Sequence, residues 1–285
     1  MRWRPRALPL LLAVCAVIVV LSAWTLAAEG ELGAGRRPWQ NLRTTLAQMS
    51  EPSFLRLWYG DPRAEVRDAE GRVLRVDDQR ETEARYLRGV GRAIWTTLRI
   101  GTLGTCLAIV LALPLGLLAA RNLGAPTPFA WMAKGLMDVL RSIHTLVFGL
   151  FFVGIVGLGA TAGILAVGAH SAGTLGKLFA EAIESLDMRP IDAARGTGAT
   201  PAQVFFLAVW PAASPQFASQ ALYVWEYNIR DSTILGLVGA GGLGLLVSEA
   251  MSLFQWGRLA TLLIAIVILV TTFDALSRAI RRRIV

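Results

Sequence analysis

The sequence predicts an all-α polytopic membrane protein of about six transmembrane helices, with a small charged insert after the first. Three observations carry this. Of its 285 residues, 54% are hydrophobic, and the mean hydropathy is +0.53. The apolar residues gather in runs close to the ~20 needed to cross a hydrocarbon core. Basic residues collect at the outer ends of those runs: Arg2, Arg4 and Arg6 before the first, Arg278, Arg281, Arg282 and Arg283 after the last. The net charge of +8 fits attraction to anionic lipid and the positive-inside rule. A nucleic-acid binder would carry its cations on one face rather than at run ends, so that class is excluded.

The first run, Ala7–Ala28, has the basic start and apolar core of a signal peptide. It is long for one, and more spans follow. Residues 1–28 are therefore read as an uncleaved helix with a cytoplasmic N-terminus. Residues 29–92 differ in kind, with twelve Lys/Arg and eleven Asp/Glu. Span counting makes them periplasmic, and the positive-inside rule weakens for loops of this length. Within them, 38–58 has a loose helical period through Trp39, Leu42, Leu46 and Met49, suited to a membrane surface. Residues 66–76 place β-branched residues about a Gly-containing turn and read as a hairpin.

The core, 93–285, supplies five more spans. The second is 95–120. Residues 121–142, with Pro126, Pro128, Lys134 and Arg141, read as a cytoplasmic connection holding a short helix. The third span is 143–159, and Gly159 to Gly163 gives a small-xxx-small step for close helix contact. The fourth is 161–179, interrupted by His170, Ser171 and Lys177. The fifth is 205–235, with a kink expected at Pro211 and Pro215. A glycine-rich re-entry follows, and 256–273 is the sixth. Six spans put both basic termini on one side of the membrane. Cys15 and Cys106 each sit inside an apolar run, without metal-ligand spacing, and are read as packing residues.

Gly239-Ala240-Gly241-Gly242-Leu243-Gly244 matches G-x-G-x-x-G literally. No βαβ unit surrounds it and no acid lies ~20 residues on, so it is a flexible turn rather than a dinucleotide site. His144 and His170 are far apart and poorly supported by acids; both are read as packed polar residues, with no metal site. No nucleophile–base set stands out and no Walker A motif is present, so the chain cannot hydrolyse ATP alone. Two histidines argue against a membrane-embedded enzyme, and the lack of inverted repeats against a carrier independent of ATP.

The most polar stretch within the apolar core is Trp225-Glu226-Tyr227-Asn228-Ile229-Arg230-Asp231-Ser232-Thr233. Charges at membrane depth are costly and mark interior cavities or pathways. Glu226 and Arg230 are spaced i, i+4 and can pair on one helix face. A structural ion pair is one reading. The other is a route on which Glu226, Asn228, Arg230, Ser232 and Thr233 guide an anion, since guanidinium groups form forked bonds with oxyanions. Lys177 and Glu181 form a second i, i+4 pair, read as structural.

Residues 192–211 read Asp192-Ala193-Ala194-Arg195-Gly196-Thr197-Gly198, then nine residues, then Ala208-Val209-Trp210-Pro211. This resembles the EAA loop of ABC-importer permeases. Ala193, Ala194, Gly198 and Pro211 match, while Asp192 replaces Glu, Ala208 replaces Ile and Trp210 replaces Leu. The stretches 115–123, 173–184 and 221–242 are similar to the phosphonate-type permease subunit, so the resemblance covers about 90–285. It departs at His144-Thr145, where that family often has Pro-Glu, and in the 29–92 insert. The resemblance implies a type I ABC-importer permease fold and transport of phosphonate or a reduced phosphorus oxyanion (phosphite, hypophosphite). Another small solute, such as an amino acid, is the alternative. It implies that Asp192, Ala193, Ala194, Gly198 and Pro211 couple to an ABC ATPase. It further implies a second permease chain, identical or paralogous, and a periplasmic substrate-binding protein. The chain itself holds no cofactor; ATP and Mg belong to the ATPase, and the setting is a bacterial inner membrane.

Overall fold

The computed structural model describes residues 7–30, 37–68, 72–123 and 127–284. They form two compact units, 1–48 and 49–285. The first contains α1 (Ala7–Ala28) and most of α2 (Pro38–Met49). The described side chains of α1 are exposed all round, as lipid contact requires of a helix with no polar face. Cys15 is among them.

The second unit opens with a small platform. A 3₁₀ turn at Ser53–Leu55 leads into the single turn α3 (Arg56–Tyr59) and an antiparallel hairpin, β1 (Ala64–Arg67) with β2 (Val73–Asp77). The hairpin expected over 66–76 is therefore present, beginning slightly earlier, and its turn lies outside the described residues. Asp78 then caps α4 (Gln79–Ala119) by accepting from the Arg80 and Glu81 amides. This helix runs unbroken for 41 residues, so the expected boundary at 92/93 falls inside it. The platform is fastened by buried polar groups. Glu83, 3% exposed, lies 4.0 Å from both Arg56 and Arg258, and Arg258 stacks on the Tyr86 ring. The hydroxyls of Ser53 and Thr261 bond at 3.2 Å, and Arg80 Nε donates to the Gly60 carbonyl.

Beyond α4 come α5 (Thr127–Ser142), α6 (Thr145–Val156) and α7 (Ala160–Glu184). The helical hairpin α8 (Met188–Gly196) and α9 (Pro201–Val204) follows, then a π turn at Phe205–Val209 and α10 (Trp210–Leu235). The chain closes with α11 (Leu243–Ser252) and α12 (Trp256–Ile284). Among the described residues, α4 and α12 are each long and apolar enough to cross a membrane. The pair α5–α6 qualifies as one broken span bent by 93°, and the run from α9 through α10 qualifies with α11 as another, bent by 44°.

Three expectations are corrected. The third span is not 143–159 alone: α6 has 12 residues, about 18 Å of helix, too short to cross. The helix expected within 121–142 is α5; it packs on α7 with Met137 buried against Gly176, and α5 and α6 together are long and apolar enough for one broken span or a re-entrant loop. The irregularity in the fifth span also precedes the prolines. The wide π turn sits just before Pro211, and α10 continues through Pro215. Gly159 has no close neighbour on its Cβ side; its amide donates to the Gly239 carbonyl, while Gly163 makes the close approach, against Ile100 and Ala240.

The centre of the bundle is α7 against α4. Small residues recur every fourth place on both: Gly104, Ala108, Ala112 and Gly116 on α4; Gly168, Ala172, Gly176 and Ala180 on α7. Helix α7 carries glycines, His170 and Lys177 within its length. Most of it is covered by protein rather than lipid, so it can carry them. The glycine-rich turn follows α10, with Gly239, Gly241 and Gly242 all at positive φ.

Gly173 provides a direct test of this packing. A Cβ there would lie 2.6 Å from the Met137 carbonyl oxygen and 2.7 Å from the Arg141 amide, both backbone and unable to yield. Gly173→Ala should therefore unseat α5 from α7 and cost about 1–3 kcal/mol, read as a lower melting temperature in detergent. Gly135→Ala, where nothing lies within 4 Å, is the matched control and should be near neutral.

Candidate functional site

Helices α7 and α10 diverge on one side and leave a cleft of about 450 Å³, lined also by Arg141 at the end of α5. From α7 come His170, Thr174, Lys177 and Glu181, a polar stripe at helical spacing; from α10 come Tyr223 and Tyr227. Arg141 is held by Asp138, with Nε at 2.9 Å, and Lys177 lies 4.0 Å from Glu181, the pair expected from sequence. Two guanidinium or ammonium groups, an imidazole and several hydroxyls thus converge beside apolar Leu178 and Val224. Such a cleft can offer charge-assisted bonds to an anion and a ring face to an apolar substituent. Arg141, Thr174, Tyr223 and Tyr227 were missed in the sequence because they lie on three helices, far apart in number.

Both histidines serve the 93° bend between α5 and α6. His144 caps α6, its Nδ1 accepting from the Leu146 amide at 3.2 Å. His170 Nδ1 donates to the Ile143 carbonyl at 2.8 Å, which fixes its tautomer and leaves Nε2 as the free ring nitrogen. No group of three or more potential metal ligands occurs among the described residues.

The polar stretch on α10 divides by face. Asn228, 1% exposed, accepts from the Ser171 hydroxyl at 2.8 Å and donates to Thr105 at 2.9 Å, joining α10 to α7 and α4. The Ser232 hydroxyl reaches the carbonyls of Thr97 and Ile229, and that of Thr233 bonds the Arg230 carbonyl. These three side chains are committed to packing within the chain. Glu226 and Arg230 do not pair with each other. Glu226 accepts from Arg281 at 2.8 Å, and Arg230 reaches Asp274 at 3.3 Å, so both partners are on α12. An i, i+4 reading sees only one helix and misses them. Arg230 remains half open, with 50% of its side chain exposed, one turn beyond Tyr223 and Tyr227 on the same α10 face.

A second locus lies at the far end of α7. Asp187 caps α8 through the Arg189 amide; the Arg189 side chain holds its carboxyl below the usual range, helped by that backbone bond. Helix α8 ends at Gly196, and two residues on Gly198, with φ of +78°, turns the chain. Thr200 and Gln203 then form a capping box that starts α9. Ile191, Val204 and Val209 are buried and seat the hairpin on the bundle, with Ala194 packed partly against them. Arg195 bonds Asp192 at 3.2 Å and the Asn122 carbonyl just past α4. Outward it presents Asp192, Ala193, Gly196, Thr197 and Gly198, a surface of short side chains, and Pro211 is also exposed.

Residues 112–285 match the family described as the binding-protein-dependent transport system inner membrane component. The chain is 45% identical over 192 residues to the phosphite transport system permease protein PtxC of Stutzerimonas stutzeri, covering 67% of this chain and 70% of that one. It is 37% identical over 189 residues to the phosphate-import permease protein PhnE of Mycolicibacterium smegmatis, covering 66% of this chain and 36% of that one. Among solved structures it is similar to the MetNI methionine ABC transporter in an inward-facing form. The TM-score there is 0.61 at 25% identity, over 69% of this chain and 96% of that one.

The bonding of Asn228 makes a prediction. Asn228→Ala should leave Ser171 and Thr105 without their partner and destabilise the bundle by about 1–2 kcal/mol. Melting in detergent should fall, while the relative uptake of competing anions stays as in the wild type. A change of anion preference at unchanged melting would make Asn228 a pathway residue instead.

Proposed function

Because this chain belongs to the family of binding-protein-dependent transport system inner membrane components, and is the translocation subunit of an ABC importer whose ATP is hydrolysed on a separate subunit, we propose that it carries phosphonate or a reduced phosphorus oxyanion, phosphite or hypophosphite, across a bacterial inner membrane. The observation that carries this reading is the convergence of Arg141, His170, Lys177 and tyrosine hydroxyls on one cleft, in a chain with phosphite and phosphate permeases among its relatives. Arg141, Lys177 and the tyrosine hydroxyls can each donate one or two bonds to an oxyanion, while His170 Nε2 lines the cleft as an acceptor. None encloses the anion, and a pathway needs binding weak enough to release. Arg230 extends the same face by one turn. A second permease chain closes the open side of the cleft.

The surface of Asp192, Ala193, Ala194 and Gly198 meets the ATPase, on which ATP and Mg are held. Its short side chains let a partner groove approach the backbone, and Pro211 marks where the hairpin joins α10. That end and both termini are cytoplasmic, and the platform at 51–78 is periplasmic, where the substrate-binding protein delivers its ligand.

Two experiments test the reading. Arg230→Gln alone orphans Asp274, which is largely covered, and loses stability; Arg230→Gln with Asp274→Asn removes both charges and should restore membrane abundance. If Arg230 guides the anion, phosphite uptake by the double variant in reconstituted vesicles stays down by about tenfold or more, the scale of a lost charge-assisted bond. Uptake recovering along with abundance removes Arg230 from the pathway. For coupling, Gly198→Glu should insert normally but lose co-purification of the ATPase. Gly198→Asn, which accepts a left-handed backbone, should keep it. Full uptake by Gly198→Glu would exclude the docking role.

A further inference from the structure

Helix α4 carries a line of arginines that neither the packing nor the transport reading uses. Arg85, Arg88, Arg92 and Arg99 are all exposed, and their spacing of three, four and seven keeps them on one helical face. Trp95, 63% exposed, lies between the last two. The same face continues as Leu103, Cys106 and Val110, all exposed and apolar. Arg85 pairs with Glu81 at 3.8 Å, and Arg88 Nε bonds the Ala84 carbonyl. The guanidinium groups of Arg92 and Arg99 have no protein partner among the described residues.

Depth along the helix identifies what they meet. From Arg99 to the end of α4 at Ala119 there is no charged residue. That stretch is about 30 Å of helix, the thickness of a hydrocarbon core. Arg99 thus stands at the boundary between acyl chains and headgroups. Its side chain leans toward the helix N-terminus, away from the apolar layer. Trp95 sits at the level where indoles concentrate, and Arg92 stands about 10 Å beyond Arg99. On the side assigned to the periplasm, cations this close to a span run against the usual charge bias. A fixed counter-charge resolves the conflict, and lipid phosphates supply one. The net negative headgroup is favoured over a zwitterionic one, whose own ammonium already neutralises the phosphate.

We propose that Arg92 and Arg99, flanking Trp95 on the exposed face of α4, bind the phosphate of an anionic phospholipid headgroup and anchor the platform end of the bundle in the bilayer. The charge-bias argument rests on the orientation proposed above; the exposure and depth of the two arginines do not.

The test uses the full chain, purified in detergent with its ATPase. Retention of added phosphatidylglycerol and phosphatidylcholine is measured by native mass spectrometry, with inorganic phosphite as a free-anion competitor. Wild type should prefer phosphatidylglycerol. R92Q/R99Q should retain it roughly tenfold less, in line with the surface attraction of two basic residues. R92K/R99K should keep most of it, and phosphite should not displace it. Equal retention by wild type and R92Q/R99Q would overturn the proposal. Displacement by phosphite would assign the pair to a free anion, and loss of paired permease chains in R92Q/R99Q would assign it to a contact between copies; either also overturns it. Phosphite uptake is scored separately in vesicles, so a mistaken substrate leaves the lipid result standing, and the reverse.

Discussion

The close approach of α4 and α7 is the constraint from which the rest follows. In lipid, helices gain little by hiding apolar surface from one another, because the acyl chains are equally apolar. Attraction between them comes from van der Waals contact at short range and from hydrogen bonds. The residues Gly104, Ala108, Ala112 and Gly116 against Gly168, Ala172, Gly176 and Ala180 bring the two backbones near enough for both. At Gly116 an added Cβ would stand 2.9 Å from the Phe179 Cβ and 3.0 Å from the Gly176 carbonyl oxygen. With those two helices fixed, Asn228 can reach Ser171 on one and Thr105 on the other, which sets the rotation of α10. That rotation turns Tyr223 and Tyr227 into the cleft.

The polar side of α7 is the complement of the same arrangement. One face is made of small residues for packing, and the other is left to carry His170, Thr174, Lys177 and Glu181. A helix in the middle of a bundle can have both, since protein rather than lipid covers it. The cleft and the seam are therefore two faces of one helix. The hairpin α8–α9 hangs from the end of that helix, seated by Ile191, Val204 and Val209.

Much of this was legible in the sequence, because a hydrocarbon core imposes length and apolarity on each span. The all-α class, the long second and last spans, the turn at Gly198 and the glycine cluster after α10 all follow from local rules. What was hidden depended on partners distant in the chain. Glu226 and Arg230 were matched to each other by spacing, yet Arg281 and Asp274 on α12 take them. Asn228, Ser232 and Thr233 look like a polar route in one dimension and are packing groups in three. A short helix was legible within 121–142, but its packing on α7 was not.

Helix α4 runs 41 residues without a break, about 60 Å. One end is bolted to the platform through Glu83 and Arg80, and just past the other Arg195 grips the Asn122 carbonyl. A strut of that kind transmits displacement along its length, with Pro114 as its one interior proline. Compliance resides chiefly where the backbone is already irregular: the π turn at Phe205–Val209, the 93° joint between α5 and α6, and the left-handed glycines at 239, 241 and 242. Lengthening α4 by a single residue would rotate one end against the other by about 100°. Its length is thus as tightly fixed as its sequence.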